Sequence, residues 1–154
     1  MNPPARDLTQ RVGDTLERLD RDVDAWFATA GPDGLPYLMP LSFLWDGEAL
    51  LVSTARSNPT ARFLEAVGRV RVALGHTRDV VLIHAKLAEV IPSAELPVEA
   101  GDAFAAKAGF DPRTQRGSYP YYRLVPLHVQ AWREVNELPG RDIMLDGRWL
   151  SPPH

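Results

Sequence analysis

A mainly β fold with inserted helices, arranged as a six-stranded closed or split barrel, is what this 154-residue chain predicts. Three observations carry that expectation. Short segments of alternating apolar and polar residues recur along the chain. Two strong turn signals, Gly31-Pro32-Asp33-Gly34 and Asp46-Gly47, each join consecutive segments of that kind. Helical periodicity is confined to one opening stretch and two short insertions, so the strand and helix alternation of a layered parallel sheet is missing.

Each element follows from local chemistry. Leu8, Val12, Leu16 and Leu19 share one helical face, and Asp7 with Gln10 has capping-box spacing, so the chain opens with an amphipathic helix. Val23, Ala25, Phe27 and Thr29 alternate with Asp24, Trp26, Ala28 and Ala30 in a first strand. A second strand runs from Pro36 to Trp45, where Pro40 points to an edge or a bulge because proline cannot donate to a ladder. The third covers Ala49 to Thr54. Asn58 then suits a helix N-cap whose side chain accepts from amides inside the helix, Pro59 suits the first helical position, and Gly68 supplies the stop.

Val70, Val72 and Leu74 alternate with Arg69, Arg71 and Ala73 in a fourth strand, and a fifth spans Val80 to Val90. A second inserted helix begins near Pro97, turns Ala100, Ala103, Phe104 and Ala108 toward the core, and ends at Gly109 as a barrel cover. The loop from Phe110 to Pro120 is long and polar enough to be mobile, and a last long strand covers Tyr121 to Glu134. Asp146-Gly147 closes a small terminal hairpin. The whole reads as a single domain over 1–154, with a helix in 1–21, the barrel in 23–134, and a tail or small hairpin in 135–154. Trp26, Trp45, Trp132 and Trp149 are expected to fill the core, the usual place for large aromatics on strands.

Composition excludes several classes. Lys and Arg number 17 against 20 Asp and Glu, a formal charge of -3, which gives no general attraction to nucleic acid or to anionic lipid. With no cysteine there is no disulfide, thiolate nucleophile or zinc ribbon, so redox chemistry falls to a bound cofactor. Met1-Asn2-Pro3-Pro4 lacks a signal-peptide pattern and no apolar run reaches the roughly 18 residues of a membrane span, so a soluble, cytoplasmic protein is expected. Asp20, Asp22 and Asp24 open like a calcium loop, but Ala25 and Gly31 stand where that loop needs glycine and glutamate. His76, His84, His128 and His154 form no metal pattern, so no metal site is expected, and no dinucleotide, P-loop or serine-elbow motif occurs.

The segment most suggestive of chemistry runs from Ser53-Thr54 to Arg62. A polar strand end feeding a capped helix start, with a guanidinium one turn in, makes an anion site from exposed amides and Arg62. Taken alone, the same segment also reads as a plain connecting helix carrying a solvated charge.

From Val23 to Arg133 the chain resembles the flavin-binding split barrels related to pyridoxamine 5'-phosphate oxidase, in particular their deazaflavin-dependent actinobacterial branch. The carriers are Phe27-Ala28-Thr29-Ala30, Asp33-Gly34-Leu35-Pro36, Pro40-Leu41-Ser42-Phe43, Trp45-Asp46-Gly47, Ser53-Thr54, Thr60-Ala61-Arg62-Phe63-Leu64 and Gly68-Arg69-Val70-Arg71-Val72, in that order, with Val125 to Trp132 as the closing strand. The resemblance implies a six-stranded split β-barrel that binds FMN or a deazaflavin coenzyme at a homodimer interface. It places Ser53, Thr54, Ser57, Thr60 and Arg62 near the cofactor phosphate, Pro40, Leu41 and Ser42 near the ring, and Trp132 against the ring from the second subunit. Two departures stand out. Thr60 aligns with the family's helix lysine, leaving Arg62 or Arg56 to supply the charge, and Ala85 stands where related chains often carry glycine.

The activity so implied is hydride transfer between the bound cofactor and a small organic acceptor. The alternative is a flavin- or haem-binding barrel without turnover. Pyridoxamine phosphate oxidation itself fits less well, because the substrate-phosphate arginines of that enzyme have no counterpart in the C-terminal part. Tyr37, His84, Tyr121 and Tyr122 are the available proton donors, and none is singled out as catalytic.

Overall fold

The computed structural model describes residues 2–152; His154 lies outside them. Helix α1 covers Leu8–Arg21, and the Asp7 carboxylate accepts from the Gln10 amide at 2.8 Å as its spacing predicts. There follow β1 (Asp24–Ala30), β2 (Pro36–Ser42), β3 (Leu44–Trp45), β4 (Leu50–Ser53), α2 (Pro59–Val67), β5 (Arg69–Leu74) and β6 (Val80–Ile91). Helix α3 (Val98–Ala108), β7 (Tyr121–Trp132), β8 (Asp142–Leu145) and β9 (Arg148–Trp149) complete the order.

All strand pairs are antiparallel, in the order β2-β1-β5-β6-β7-β4-β3. The two ends of that order, β2 and β3, are separated in sequence only by Phe43. The expected single strand from Pro36 to Trp45 is therefore two half-strands, one on each edge, and the sheet is a split β-barrel joined through one residue. Phe43 breaks the ladder because its fully buried ring is drawn into the core while its amide bonds the Val23 carbonyl at 3.0 Å. Pro40 lies on β2, which has only β1 beside it, so its missing donor faces no partner.

The main core lies between the barrel wall and α1, with Val12 and Leu19 packed together with Phe27, Val72, Ile83 and Val129. A smaller cluster under α3 joins Phe104 to Leu51 and Tyr121, with the two rings edge-to-face at 5.3 Å. Ala103 is exposed rather than core-facing. Pro126 sits in the middle of β7 because a register shift beside His84 and Ala85 takes Leu127 out of the ladder there, a bulge that tolerates the missing donor.

Two further sequence expectations need correction. Trp26 is 49% exposed: alternation puts Ala25 and Phe27 inward, so Trp26 must point out. The Phe110 to Pro120 segment is tied down, with a turn of 3-10 helix at Pro112–Thr114 in which Arg113 bonds both Asp111 and Asp102 at 2.8 Å. Residues 135–152 also hold the chain's two ends together. Arg6 meets Glu137 at 3.0 and 2.8 Å, and the buried Arg11 guanidinium donates to the carbonyls of Ala131, Glu137 and Gly140 at 2.8–3.1 Å. No helix among the described residues is long and apolar enough to cross a membrane.

Candidate functional site

The corner where β4 runs into α2 holds most of the polar residues singled out from sequence. Ser53 is buried and its Oγ donates to the Pro120 carbonyl at 2.8 Å, so this hydroxyl fastens the incoming β7 rather than facing a ligand. Asn58 starts α2 with extended backbone, but its side chain does not cap the helix. Instead Asn58 Nδ2 donates back to Thr54 Oγ1 at 2.9 Å. The expected side-chain cap is thereby replaced, and the amides of Thr60 and Ala61 have no acceptor among the described residues. An uncapped helix start presents partial positive charge and free donors.

Basic side chains lie beside this start. Arg56 and Ser57 line a groove of about 530 Å³ whose opposite wall is Arg116, Gly117 and Ser118, and the Arg56 amide bonds the Ser118 carbonyl at 2.9 Å. Arg56 also spans to α2, where it meets Glu65 Oε1 at 2.6 Å; the other Glu65 oxygen accepts from the Tyr122 hydroxyl at 3.1 Å. Burial, and then the Glu65 charge, push the Tyr122 phenol above its ordinary range, so it remains protonated and bound. Arg62 is exposed on α2, 6.0 Å from the Phe63 ring centre, and meets no carboxylate among the described residues. Thr60, by contrast, is 3% exposed and brings no charge. Arg116 and Ser118 escaped the sequence reading; their only signal was a glycine between two polar residues, which does not reveal that the loop folds back onto β4.

The expected ring-contacting residues are dispersed. Pro40 is exposed on the outer face of β2, Leu41 packs against the main core, and the Ser42 hydroxyl is engaged with Asp24 at 2.6 Å. Trp132 and Ser53 lie at opposite ends of β7, since Ser53 pairs with Tyr121 and Trp132 with Val80. At about 3.3 Å per residue the intervening strand contour is roughly 36 Å. Within one chain Trp132 is thus remote from the corner. Ala85 is fully buried, opposite Val70 and Pro126, so its methyl group fills the core. Of the possible proton donors, Tyr37 stacks edge-on to Phe63 at 6.0 Å, His84 lies on the outer sheet face, and the Tyr121 hydroxyl is buried without a partner among the described residues.

Residues 16–136, nearly the whole barrel, match the protein family described as Pyridoxamine 5'-phosphate oxidase. The chain belongs to that family. Solved structures agree on the fold. A conserved hypothetical protein of Mycobacterium tuberculosis is 16% identical with a TM-score of 0.66, over 88% of this chain and 92% of that one. An F420 reductase is 17% identical with a TM-score of 0.61, covering 73% and 93% of the two chains. A FAD-binding protein of Mesorhizobium loti is 18% identical, with a TM-score of 0.59 and coverages of 75% and 89%. No curated protein sequence matches this chain. At these identities the likeness defines the split barrel of the oxidase family and leaves the chemistry to the residues.

Proposed function

We propose that this chain is a flavin- or deazaflavin-dependent oxidoreductase that works as a homodimer, with the cofactor phosphate at the start of α2. The observation that carries the reading is the uncapped α2 terminus: the Thr60 and Ala61 amides are free, Arg62 is unpaired among the described residues, and the groove between Arg56 and Arg116 opens beside them. Family membership, and the F420 reductase and FAD-binding protein that share the fold, support it. A bound flavin or deazaflavin supplies the hydride chemistry. The chain's own residues hold and orient: amides and Arg62 take the phosphate, Ser57 and Thr54 edge it, and Ser53 fixes the corner through Pro120. Pro40, Leu41 and Ser42 flank the ring, and Trp132 reaches it from the second copy.

Two features support the dimer. Trp132 sits about 36 Å of strand away from its own corner, which favours contact with a cofactor across an interface. The outer sheet face also exposes Trp26 and Leu38, at 49% and 57%, beside Pro40 and Ala73 in the same rows.

Arg62→Ala separates this reading from a plain connecting helix. Because a charged hydrogen bond contributes about 1.5 kcal/mol or more, the variant is expected to bind FMN about tenfold less tightly while riboflavin, which lacks the phosphate, is little affected. Equal losses for both would remove Arg62 from the phosphate site. The buried, uncharged Thr60 favours a second reading, a flavin- or haem-binding barrel without turnover. Reduced cofactor that is reoxidised no faster when candidate acceptors are added would select it.

A further inference from the structure

The outer face of β5 and β6 carries an arrangement that the α2 corner does not use. Arg69 lies directly opposite Lys86, Arg71 directly opposite His84, and His84 in turn opposite His128. Like charges placed across a ladder destabilise it, and acidic residues are in surplus in this chain, 20 against 17 basic. Yet Arg69, Arg71 and Lys86 meet no carboxylate among the described residues, whereas Arg6, Arg18, Arg56, Arg78, Arg113 and Arg123 each hold one. The basic rows open onto a pocket of about 260 Å³ with apolar walls from Ala28, Pro36 and Val67 and a polar side from Arg69, Arg71 and His84. That volume lies just below the range of drug-sized sites and suits a single-ring body.

We infer that this pocket binds a small organic anion, with a carboxylate or phosphate head against Arg69 and Arg71, beside His84, and an apolar body on Ala28, Pro36 and Val67. An anion relieves the repulsion built into the register. A second copy seated on Trp26 and Leu38, which adjoin the pocket through Ala28, would not neutralise the basic rows, because a two-fold axis through them would bring cations to cations. His84 adds a bonding group without adding to the repulsion: burial, and then the charges of Arg71 and Arg69, hold its imidazole below the ordinary histidine range, so it is neutral at pH 7. The site stands apart from the α2 corner and does not depend on the cofactor reading.

The test is a titration of the full chain followed by amide shifts in two-dimensional NMR, with four probes: phenyl phosphate, benzoate, inorganic phosphate and benzyl alcohol. Phenyl phosphate or benzoate is expected to shift the amides of Ala28, Arg71 and His84, whichever binds tighter naming the head group. Inorganic phosphate should bind more weakly and benzyl alcohol not at all. Arg71→Gln should weaken binding at least about tenfold. Lys86→Glu should weaken it while raising Tm, because the new carboxylate faces Arg69 and pairs with it in place of the ligand. Saturation by benzyl alcohol, unchanged affinity in Arg71→Gln, or shifts confined to residues 55–60 and 116–118 would each overturn the proposal.

Discussion

Replacing Glu137 with Ala is expected to destabilise the fold by about 3 kcal/mol, the lower end of the usual cost of removing one partner of a buried ion pair, since Asp14 still meets Arg6. Glu137 is 2% exposed and accepts from Arg6 through both carboxylate oxygens and from the Arg133 amide. Arg6 is itself 8% exposed, and once the carboxylate is gone only the half-exposed Asp14, at 3.1 Å, remains to pair with it. The same contact sets an acid limit. The Arg6 hydrogen bond, against the opposing effect of burial, holds the Glu137 carboxyl down from 4.5 to about 2. A depressed carboxyl contributes stability that is present above pH 4.5 and lost as the pH falls toward 2, here about 3 kcal/mol in all. Urea denaturation from pH 7 to pH 2.5 should show wild type losing that increment and Glu137→Ala losing far less. A parallel decline in both would place the acid sensitivity elsewhere.

Trp26→Glu is expected to convert the proposed dimer into a monomer. An exposed tryptophan amid apolar neighbours has the character of an interface anchor, and truncating such residues costs about 2 kcal/mol or more, roughly a 30-fold rise in the dimer dissociation constant. Trp26 is on the outer face, where it supports no core residue, so the variant should stay folded and, on the proposed reading, lose cofactor affinity together with the Trp132 that a second copy would supply. Sedimentation velocity across micromolar concentrations reads the first effect directly. A wild type that sediments as a monomer, or a variant that dimerises unchanged, would remove this face from the interface.

Much of the barrel was legible because its signals are local. The Asp7 cap, the turns at Gly31 to Gly34 and Asp46-Gly47, the Gly68 and Gly109 helix stops and the terminal hairpin all rest on neighbours within a few residues. What escaped depends on pairing at long range. The split at Phe43 is decided by a buried ring and a bond to Val23, and nothing in the alternation of residues 36–45 announces it. Asn58 has the right type and position to cap α2, yet Thr54 competes for its side chain. The size of Trp26 points to the core, whereas its alternation with Ala25 and Phe27 assigns it outward. In the candidate site, Thr54, Ser57, Thr60 and Arg62 are close in sequence and therefore share the β4–α2 corner. Arg116 and Ser118 lie some sixty residues away and reach the corner only through the pairing of β4 with β7.

The most direct test of a cofactor at the α2 corner is a fluorescence titration of the purified protein with FMN and, separately, with the deazaflavin coenzyme. Saturable micromolar binding of one of them, at one cofactor per chain, is the expected result and also selects the chemistry to pursue. Failure of both to bind at millimolar concentration would contradict a cofactor site there and leave a split barrel in which the neutral Thr60 has ended phosphate recognition.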